Sequence, residues 1–321
     1  MLFRSGNWPG GVEKRAAVMV HMISGTPAAE IEITPALVRA LLRDEHPELA
    51  DLSLTFLDAG WDNAMFRLGD HFTVRLPRRK ESASLLINEQ DWLPKLSSRL
   101  PIPVSAPLHI GLPGHSYPWR WSILPWLDGQ PANEFPPIPG EAAAFASFLQ
   151  ALHRPAPEDA PVNAVRGCPL AHRVDVTRAR LLHLRDAIEA IVPEVEKAWS
   201  NALAAPVAEA AYWLHGDLHA RNVLVNDGAI SAIIDWGDIT SGDVATDLAG
   251  IWALFESAKA RQSALQAYGA TEAETARAMG WAVQFGTVLL ATGLVDNPRH
   301  AAMGRDTLRR VAEDQLARRT P

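Results

Sequence analysis

The hydrophobic pattern changes along the chain from the short period of β-strands to the longer period of helices. The first half contains short runs of β-forming residues that are separated by Gly60 and Gly69, as a small antiparallel sheet requires. These runs are Leu52–Leu57, Ala64–Leu68, Phe72–Leu76 and, after a predicted helix over Ser84–Leu96, a further strand over Trp119–Leu127. From Glu141 onward the apolar residues recur every three or four positions, which predicts a mainly helical second half.

The first helix has a clear start signal in the sequence. Thr34 can cap its amino end, and Pro35 suits the first turn because its missing N–H is not needed there. Leu37, Leu41 and Leu42 then form one apolar stripe before Pro47. We therefore expect a helix that covers one face of the small sheet.

The order of the predicted elements divides the chain into three parts. Residues 1–32 are interpreted as an N-terminal extension, for which disorder or a later start at Met19 or Met22 are alternatives. Residues 33–127 form a small lobe with an antiparallel sheet, and residues 128–321 form a larger, mainly helical lobe. The expected fold class is α+β with two lobes.

Composition limits the possible functions. The length of 321 residues suits one bilobal domain, and a formal net charge of −7 argues against a general nucleic-acid binder. Cys168 is the single cysteine, so an intrachain disulfide is impossible, which fits a reducing compartment. We see no apolar run long enough to span a bilayer. These features predict a cytoplasmic protein without nucleic-acid or membrane partners, either monomeric or homodimeric.

A group of polar residues surrounds a predicted β-hairpin in the second half. The stretch His215-Gly216-Asp217 is followed by Asn222, five residues after Asp217, and Asp235 comes at the end of an apolar strand. Two short strands, 223–225 and 230–234, are joined by Asn226-Asp227-Gly228, which is a strong hairpin signal. The hairpin would bring Asn222 back beside Asp235.

This layout suits phosphoryl transfer. Asp217 could accept or orient a substrate hydroxyl, while Asn222 and Asp235 offer the hard oxygen ligands that Mg²⁺ prefers. The alternative interpretation is that all three are turn or capping residues in an unrelated hairpin.

From Trp213 to Asp247 the chain resembles the aminoglycoside phosphotransferase family, relatives of the protein kinases whose catalytic loop reads His-Gly-Asp. The resemblance includes Asp247-Leu248-Ala249 at the start of the next helix. It implies a two-lobed protein-kinase-like fold, ATP or GTP as the phosphoryl donor with Mg²⁺, and phosphorylation of a hydroxyl on a small molecule. The small lobe would then bind the nucleotide.

The resemblance also implies nucleotide-binding residues in the small lobe. Arg75 occupies the strand position where kinases carry a phosphate-binding lysine, and Glu89 is its expected partner on the next helix. Gly60 and Asn63 belong to a loop with one glycine in place of a glycine-rich triplet. Leu124 and Trp126 lie in a segment that resembles the hinge, where backbone groups would meet the base.

Four further residues of the catalytic segment have expected supporting or alternative roles. We expect His215 to fix the loop through hydrogen bonds, and Asp247 to cap its helix while bracing the loop. Arg221, like His219, either approaches phosphate oxygens or is simply exposed.

The acceptor is the least determined part of the prediction. The resemblance favours an antibiotic, first an aminoglycoside and second a macrolide; a metabolic kinase of a small alcohol and a catalytically silent nucleotide-binding protein are alternatives. An acidic rim would suit a cationic aminoglycoside, and its candidates are Asp238, Asp243, Glu256 and Glu272. An apolar groove would suit a macrolide, and its candidates are Trp252, Phe255, Trp281 and Phe285, although buried helix faces explain these four equally well.

Overall fold

The computed structural model describes residues 27–318. Most of the predicted N-terminal extension, including Met19 and Met22, lies outside the described residues. Its last part contacts the small lobe, since the Glu30 backbone N–H donates to the Arg78 carbonyl oxygen at 2.9 Å.

The small lobe contains one five-stranded antiparallel sheet with two helices. The strands are β1 (Leu54–Ala59), β2 (Asn63–Leu68), β3 (Phe72–Pro77), β4 (His109–Gly111) and β5 (Trp121–Pro125). Their order in the sheet is β1-β2-β3-β5-β4. The helices are α1 (Pro35–Glu45) and α2 (Lys80–Ser97). The predicted strands and both helices are confirmed, but β4 was not predicted because it is only three residues long and shows no alternation.

Alternation along the strands gives the sheet two different faces. One face packs on α1 in an apolar core that includes Leu41, Phe66 and Trp121, all nearly or fully buried. On the other face, register places Arg75 opposite Met65 on β2 and opposite Ser122 on β5. Because neighbouring residues in a strand point to opposite faces, this second face carries the side chains that meet the large lobe.

The large lobe is mainly helical. Its α-helices are α3 (Ala142–Leu152), α4 (Val174–His183), α5 (Val192–Ala204), α6 (Ala245–Leu248), α7 (Gly250–Leu254), α8 (Ala258–Tyr268), α9 (Glu272–Asp296) and α10 (Pro298–Ala317). Short 3₁₀ turns cover Pro139–Glu141, Leu170–Arg173, Arg185–Ile191 and Ala220–Asn222. These elements confirm the expected bilobal α+β architecture.

Five short strands support the catalytic segment within the large lobe. They are β6 (Gln130–Pro131), β7 (Tyr212–Leu214), β8 (Val223–Asn226), β9 (Ala229–Ile233) and β10 (Thr240–Gly242). Strands β6, β8 and β9 form one sheet in that order, and β10 pairs with β7 in another.

Helix α9 contains a long apolar run, although the sequence analysis predicted none long enough to span a bilayer. By length and composition this 25-residue helix could cross a bilayer, with a mean hydropathy of 1.5 over its most apolar window. However, 78% of that window is buried inside the fold, as in the core helix of a globular lobe. The helix packs closely on α10, where a Cβ added to Gly304 would lie 2.4 Å from the Leu290 nitrogen.

The predicted lobe boundary at residue 127 stays a prediction. The large core contains Leu93 and Leu96 from α2 together with Ile102 and Val104, all of which precede that boundary. Val104 also forms an isolated parallel bridge with Ile233. The end of α2 and the following connector therefore pack with the large lobe although they belong to the first half of the sequence.

Candidate active site

The β8–β9 hairpin positions two of the predicted site residues. Asp227 and Gly228 both have positive φ, 49° and 83°, as a tight two-residue hairpin turn requires. At the open end, the Ile234 N–H donates to the Asn222 carbonyl oxygen at 2.9 Å. Asn222 and Asp235 therefore flank the same end of the hairpin, as predicted from the turn signal.

The loop before Asp217 is held by a buried carboxylate. Asp247 is fully buried and accepts hydrogen bonds from the backbone N–H groups of His215 (2.7 Å) and Gly216 (2.9 Å). Asp247 lies inside the short helix α6, whose N-cap residue is Val244. The side chain of Val244 makes no capping hydrogen bond. The predicted bracing of the loop is confirmed, whereas the predicted capping of its own helix is wrong, because the carboxylate is directed towards the loop.

His215 links the loop to the hairpin. Its Nε2 donates to the Ile234 carbonyl oxygen (3.0 Å), and its Nδ1 accepts from the Asp217 N–H (3.2 Å). The ring also packs on Trp236, with centroids 4.6 Å apart. These contacts confirm that His215 fixes the loop by hydrogen bonding.

Asp217 lies at the exposed side of this loop with basic neighbours. Its carboxylate is 3.2 Å from Nη2 of Arg166 and 3.4 Å from Nε2 of His219, and the side chain is 23% exposed. Burial raises the pKa of the Asp217 carboxyl, but His219 and Arg166 outweigh this effect, so that the pKa lies below its usual value. The carboxylate is therefore ionised and available as a proton acceptor at neutral pH.

Arg75 connects the two lobes. It donates to Glu89 Oε2 and to Asp235 Oδ1, both at 2.6 Å. The Asn63 amide oxygen, oriented towards the guanidinium, accepts from Nη2 at 2.9 Å and Nε at 3.0 Å. Both Arg75 and Glu89 are buried, and burial raises the pKa of Glu89 to about 7 against the opposing effect of Arg75. The expected pairing of Arg75 with Glu89 is present, and Asp235 completes the network.

Asp235 has an uncommon backbone conformation. Its φ is +61°, in the left-handed region that residues other than glycine seldom occupy. Such strain is concentrated at functional sites, where the surrounding structure holds it in place. The conformation leaves the side chain 52% exposed, with one carboxylate oxygen bound to Arg75 and the other without a hydrogen bond to any described residue.

Carboxylates gather at the cleft, but in residues 27–318 no group of three or more acidic, histidine or cysteine side chains is arranged to hold a metal ion, so the candidate oxygen ligands are those of Asp235 and Asn222. Four carboxylates, those of Asp62, Asp217, Asp235 and Asp238, line a cleft of about 30 Å³. Burial raises the pKa of Asp238 to about 6, and the nearby carboxylates add to this effect against Arg166. Such crowding of negative charge is relieved by a cation with oxygen ligands. Asn222 has its Nδ2 fixed by the Asp217 carbonyl oxygen at 2.9 Å, so its amide oxygen can serve as a ligand.

The predicted nucleotide loop is the turn between β1 and β2. Gly60 donates its N–H to the Asn63 carbonyl oxygen at 3.0 Å. A Cβ added to Gly60 would meet no atom within 4 Å, and φ is not positive there. Neither the backbone nor the available space therefore requires a glycine at this position, and the predicted contact of Gly60 with phosphate stays a prediction.

The same turn contacts the large lobe. The Trp61 and His300 rings pack with centroids 6.0 Å apart, and Arg221 lies 3.2 Å from Asp58. Arg221 also donates to His300 Nε2 at 3.0 Å. Arg221 is therefore engaged with the small lobe and α10, so the alternative that it is merely exposed does not hold.

The predicted hinge residues lie at the end of β5. Leu124 is buried opposite Thr73 and belongs to neither apolar core of the described chain. The Trp126 N–H donates to the His71 carbonyl oxygen at 2.7 Å, and the Arg67 guanidinium lies 3.5 Å from the centre of its ring. Base contacts of Leu124 and Trp126 stay predictions.

The predicted acidic rim does not form. Asp243 is buried in an ion pair with Arg277 (2.6 Å), and Glu256 is bound by Arg309 and Arg310 on α10 (2.8 Å each). Glu272 is the first residue of α9 and is absent from the cleft lining. Of the four candidates, Asp238 alone lies beside Asp217. Long-range pairing with arginines, which the sequence does not display, explains the difference.

The predicted apolar groove does not form either. Trp252, Phe255 and Trp281 are at most 2% exposed and belong to the large core. Phe285 is half-buried, and the guanidinium of Arg166 lies 5.0 Å from its ring centre. The alternative of buried helix faces is therefore correct for the first three residues.

Arg166 is the main site residue that sequence reasoning missed. It lies in the irregular segment between α3 and α4, which has no motif or periodicity. The following Gly167 has a φ of +65°, and a Cβ there would lie 2.7 Å from Leu214 Cδ1. The sequence feature that could have indicated a site here is the pair Arg166-Gly167, and an Arg-Gly pair is too common in proteins to predict one.

A family model described as the phosphotransferase enzyme family, APH, matches residues 53–281. This match covers more than half of the chain, so the protein belongs to that family and is a phosphotransferase, as the catalytic segment led us to expect. No curated protein matches the chain.

Similar solved structures support the same fold. The GDP complex of wild-type aminoglycoside 2'-phosphotransferase-IIIa has a TM-score of 0.65 at 16% identity, covering 88% of this chain and 99% of that one. The apoenzyme of macrolide 2'-phosphotransferase MphH from Brachybacterium faecium has a TM-score of 0.55 at 23% identity, covering 86% and 98%. The streptomycin–ATP ternary complex of APH(2")-IIa has a TM-score of 0.55 at 18% identity, covering 85% and 99%. These similarities confirm the bilobal, protein-kinase-like α+β fold.

Proposed function

We propose that the protein transfers the γ-phosphoryl group of ATP or GTP, bound with Mg²⁺, to a hydroxyl of a small molecule. The observation that carries this proposal is the convergence of Asp217, Asn222 and Asp235 at one hairpin end. Arg75 reaches that point from the other lobe, with its guanidinium 2.6 Å from Asp235.

Asp217 acts as the proton acceptor in the proposed step. The acceptor hydroxyl oxygen attacks the γ-phosphorus, and the bond from that phosphorus to the β–γ bridging oxygen breaks. The electron pair stays on the nucleoside diphosphate, and the hydroxyl proton passes to the Asp217 carboxylate. Its lowered pKa suits this role because the carboxylate is ionised before the step and the proton is needed late.

Asn222 and Asp235 hold the metal in this proposal. Mg²⁺, when bound, neutralises charge on the β- and γ-phosphate oxygens. The free carboxylate oxygen of Asp235 and the amide oxygen of Asn222 are hard ligands of the appropriate kind. Arg75 would exchange its contact with Asp235 for phosphate oxygens, while Glu89 and Asn63 keep its guanidinium oriented.

The nucleotide base has a proposed position on the cleft face of the small sheet. Met65, Thr73 and Leu124 share that face by register, and Trp126 follows at its edge. Gly60 would lie over the phosphates. Since ATP and GTP are abundant in the cytoplasm, a cytoplasmic location forms part of this proposal.

The acceptor proposed from the similar structures is an antibiotic. Their names include aminoglycoside and macrolide phosphotransferases, which makes an aminoglycoside the first acceptor to test and a macrolide the second. This support is by similarity alone, because the acidic rim and the apolar groove that would recognise these molecules do not form. A small metabolic alcohol is the competing acceptor, and the unpaired guanidinium donors near Arg166 favour one that carries an anionic group.

The function can be tested with purified protein, Mg²⁺ and either nucleotide against aminoglycosides, macrolides and metabolite alcohols. We expect phosphorylation of at least one hydroxyl. Asp217→Asn should lower kcat by about hundredfold or more, with little change in the Kd of the Mg-nucleotide, since an orienting base of this kind contributes that much.

Asp227→Asn is the matched control, since it makes the same chemical change in the turn of the same hairpin and its positive φ tolerates asparagine. Full turnover by Asp217→Asn would refute the assigned role. Tight nucleotide binding without transfer to any acceptor would favour the catalytically silent alternative.

A further inference from the structure

Arg166, Arg173 and Arg180 lie within electrostatic range of one another and are called the basic cluster below; of the three, Arg166 contacts Asp217. Arg166 lies 3.2 Å from the Asp217 carboxylate and 5.0 Å from the centre of the Phe285 ring. Arg180, on α4, donates to Oε1 of Gln284 at 3.3 Å, and Gln284 is the neighbour of Phe285 in α9. Arg166 and Arg180 thus contact consecutive residues of α9, and Arg166 connects this part of the helix to Asp217.

The three charges are close enough to affect one another. Burial, followed by the charges of Arg173 and Arg166, lowers the pKa of Arg180 to about 10. Burial also lowers the pKa of Arg173, with a contribution from Arg166. Mutual repulsion of this kind is unfavourable unless an anion is present.

Two members of the cluster, Arg173 and Arg180, lack the carboxylate partner that accompanies other buried arginines in residues 27–318. Arg75, Arg261 and Arg277 are buried to a degree similar to Arg180, and each holds a carboxylate oxygen at 2.6 Å. Arg180 is only 8% exposed and has no ion pair within the described range, and Arg173 has none there either. Arg166 has Asp217 as its partner, with Asp238 within electrostatic range.

Several hydrogen-bond donors of the cluster are also without acceptors. The Nε atoms of Arg166, Arg173 and Arg180 and the Nε2 atom of Gln284 are buried without a hydrogen-bond partner in the described chain. A buried donor without an acceptor is unfavourable, and a guanidinium group is well shaped for two oxygens of one oxyanion. The cluster therefore has the charge and the free donors of an oxyanion site.

The position of the cluster relates this site to the acceptor. Arg75 and Asp235, which we assign to the nucleotide, line the narrow cleft with Asp217, whereas none of the three clustered arginines lines it. Arg166 approaches Asp217 from outside that cleft. An alcohol whose charged end is bound at the cluster could therefore bring its hydroxyl to Asp217 without displacing the nucleotide.

We propose that the acceptor is a small alcohol bearing an oxyanionic group, a carboxylate or a phosphate ester, which Arg173, Arg180 and Gln284 bind. This inference rests on the proposed phosphotransferase function and specifies its acceptor. Arg166 gives up its contact with the Asp217 carboxylate and binds the incoming acceptor instead. The Asp217 carboxylate is then free to take the hydroxyl proton. A polycationic aminoglycoside would be repelled by the same three guanidinium groups.

A binding experiment with inorganic phosphate tests the site without knowledge of the acceptor. The protein is first saturated with Mg²⁺ and a non-hydrolysable ATP analogue, so that the triphosphate region is occupied. Millimolar phosphate should then raise the Tm of the wild-type protein, and Arg173→Gln and Arg180→Gln should abolish that shift. Arg178→Gln is the matched control, since it removes one exposed positive charge from the same helix and should leave the shift unchanged.

A turnover experiment then compares hydroxy acids, phosphorylated alcohols, neutral polyols and aminoglycosides as acceptors. We expect transfer to one of the two anionic groups, with KM at least tenfold higher in Arg180→Gln and the Kd of the ATP analogue unchanged. The two anionic groups separate a carboxylate from a phosphate as the recognised end. No phosphate shift in the wild-type protein, an unchanged shift in both cluster variants, or transfer to aminoglycosides but not to anionic alcohols would overturn the inference. Transfer to aminoglycosides alone would leave the phosphotransferase function intact. Failure to bind the ATP analogue would refute that function itself.

Discussion

The backbone of Gly216 has a φ of +88°, and a Cβ at this position would lie 2.4 Å from the carbonyl oxygen of Asp238. Only glycine fits both the conformation and the space. The contact joins the loop that carries Asp217 to the segment that follows Asp235. Because Gly216 has no side chain, the loop that carries Asp217 can approach the segment that follows Asp235 this closely.

Gly216→Ala should therefore destabilise the fold by about 3 kcal/mol or more and also reduce kcat, because Asp217 is the next residue. Gly269→Ala is the control: its φ is +78°, but an added Cβ would meet nothing within 4 Å. It should lose only about 1 kcal/mol, from backbone strain. Chemical denaturation measures both free energies of unfolding, and equal losses in the two variants would contradict the proposed steric role.

At the scale of elements, the turn between β1 and β2 already contacts the large lobe. Asp58 pairs with Arg221, and Trp61 packs on His300 at the beginning of α10. The cleft behind this turn holds only about 30 Å³, far less than a nucleoside triphosphate occupies. We therefore expect the turn to move when the triphosphate enters this part of the cleft.

Asp58→Asn should speed nucleotide association by weakening this contact. The ion pair is well exposed, and such pairs contribute at most about 1 kcal/mol, so a change in kon of severalfold is the expected limit. Stopped-flow fluorescence with a labelled nucleotide measures the rate. Asp70→Asn, in the exposed turn between β2 and β3, is the matched control. An unchanged kon in Asp58→Asn would show that the contact does not limit opening.

The elements that the sequence predicts well are those with local signals. The hairpin follows from Asn226-Asp227-Gly228 between two apolar runs, and α1 from Thr34-Pro35, whose threonine oxygen accepts from the Leu37 N–H at 3.2 Å. Strand β4 has no such signal because its pairing with β5 is imposed by the sheet.

The site shows the same division. Asp217, Asn222 and Asp235 could be brought together from the sequence because one hairpin joins them. Arg166 could not, because the irregular segment that carries it is positioned by contacts distant in sequence. Asp243 and Glu256 were misplaced for the same reason, since their partners Arg277 and Arg310 come from later helices.

At the scale of the whole molecule, α2 belongs to both lobes. Its middle carries Glu89, which binds Arg75 on the small sheet, while Leu93 and Leu96 near its end are buried in the core of the large lobe. Arg75 in turn reaches Asp235 of the large lobe. The small lobe therefore has no independent boundary at which it could separate without exposing apolar surface and a buried ion pair.

We accordingly expect both lobes to unfold in one cooperative transition, with calorimetric and van't Hoff enthalpies in agreement. Leu93→Ala should lower stability by about 2–5 kcal/mol while keeping a single transition, because the cavity lies where the lobes join. Ile87→Ala is the control on the same helix, since Ile87 is 39% exposed and its truncation should change little. Differential scanning calorimetry measures the number of transitions and both enthalpies. Two resolved transitions in the wild-type protein would mean that α2 does not couple the lobes. A loss of stability in Leu93→Ala that is confined to one transition would mean the same. In that case the small lobe could move over the nucleotide without rearrangement of the large core.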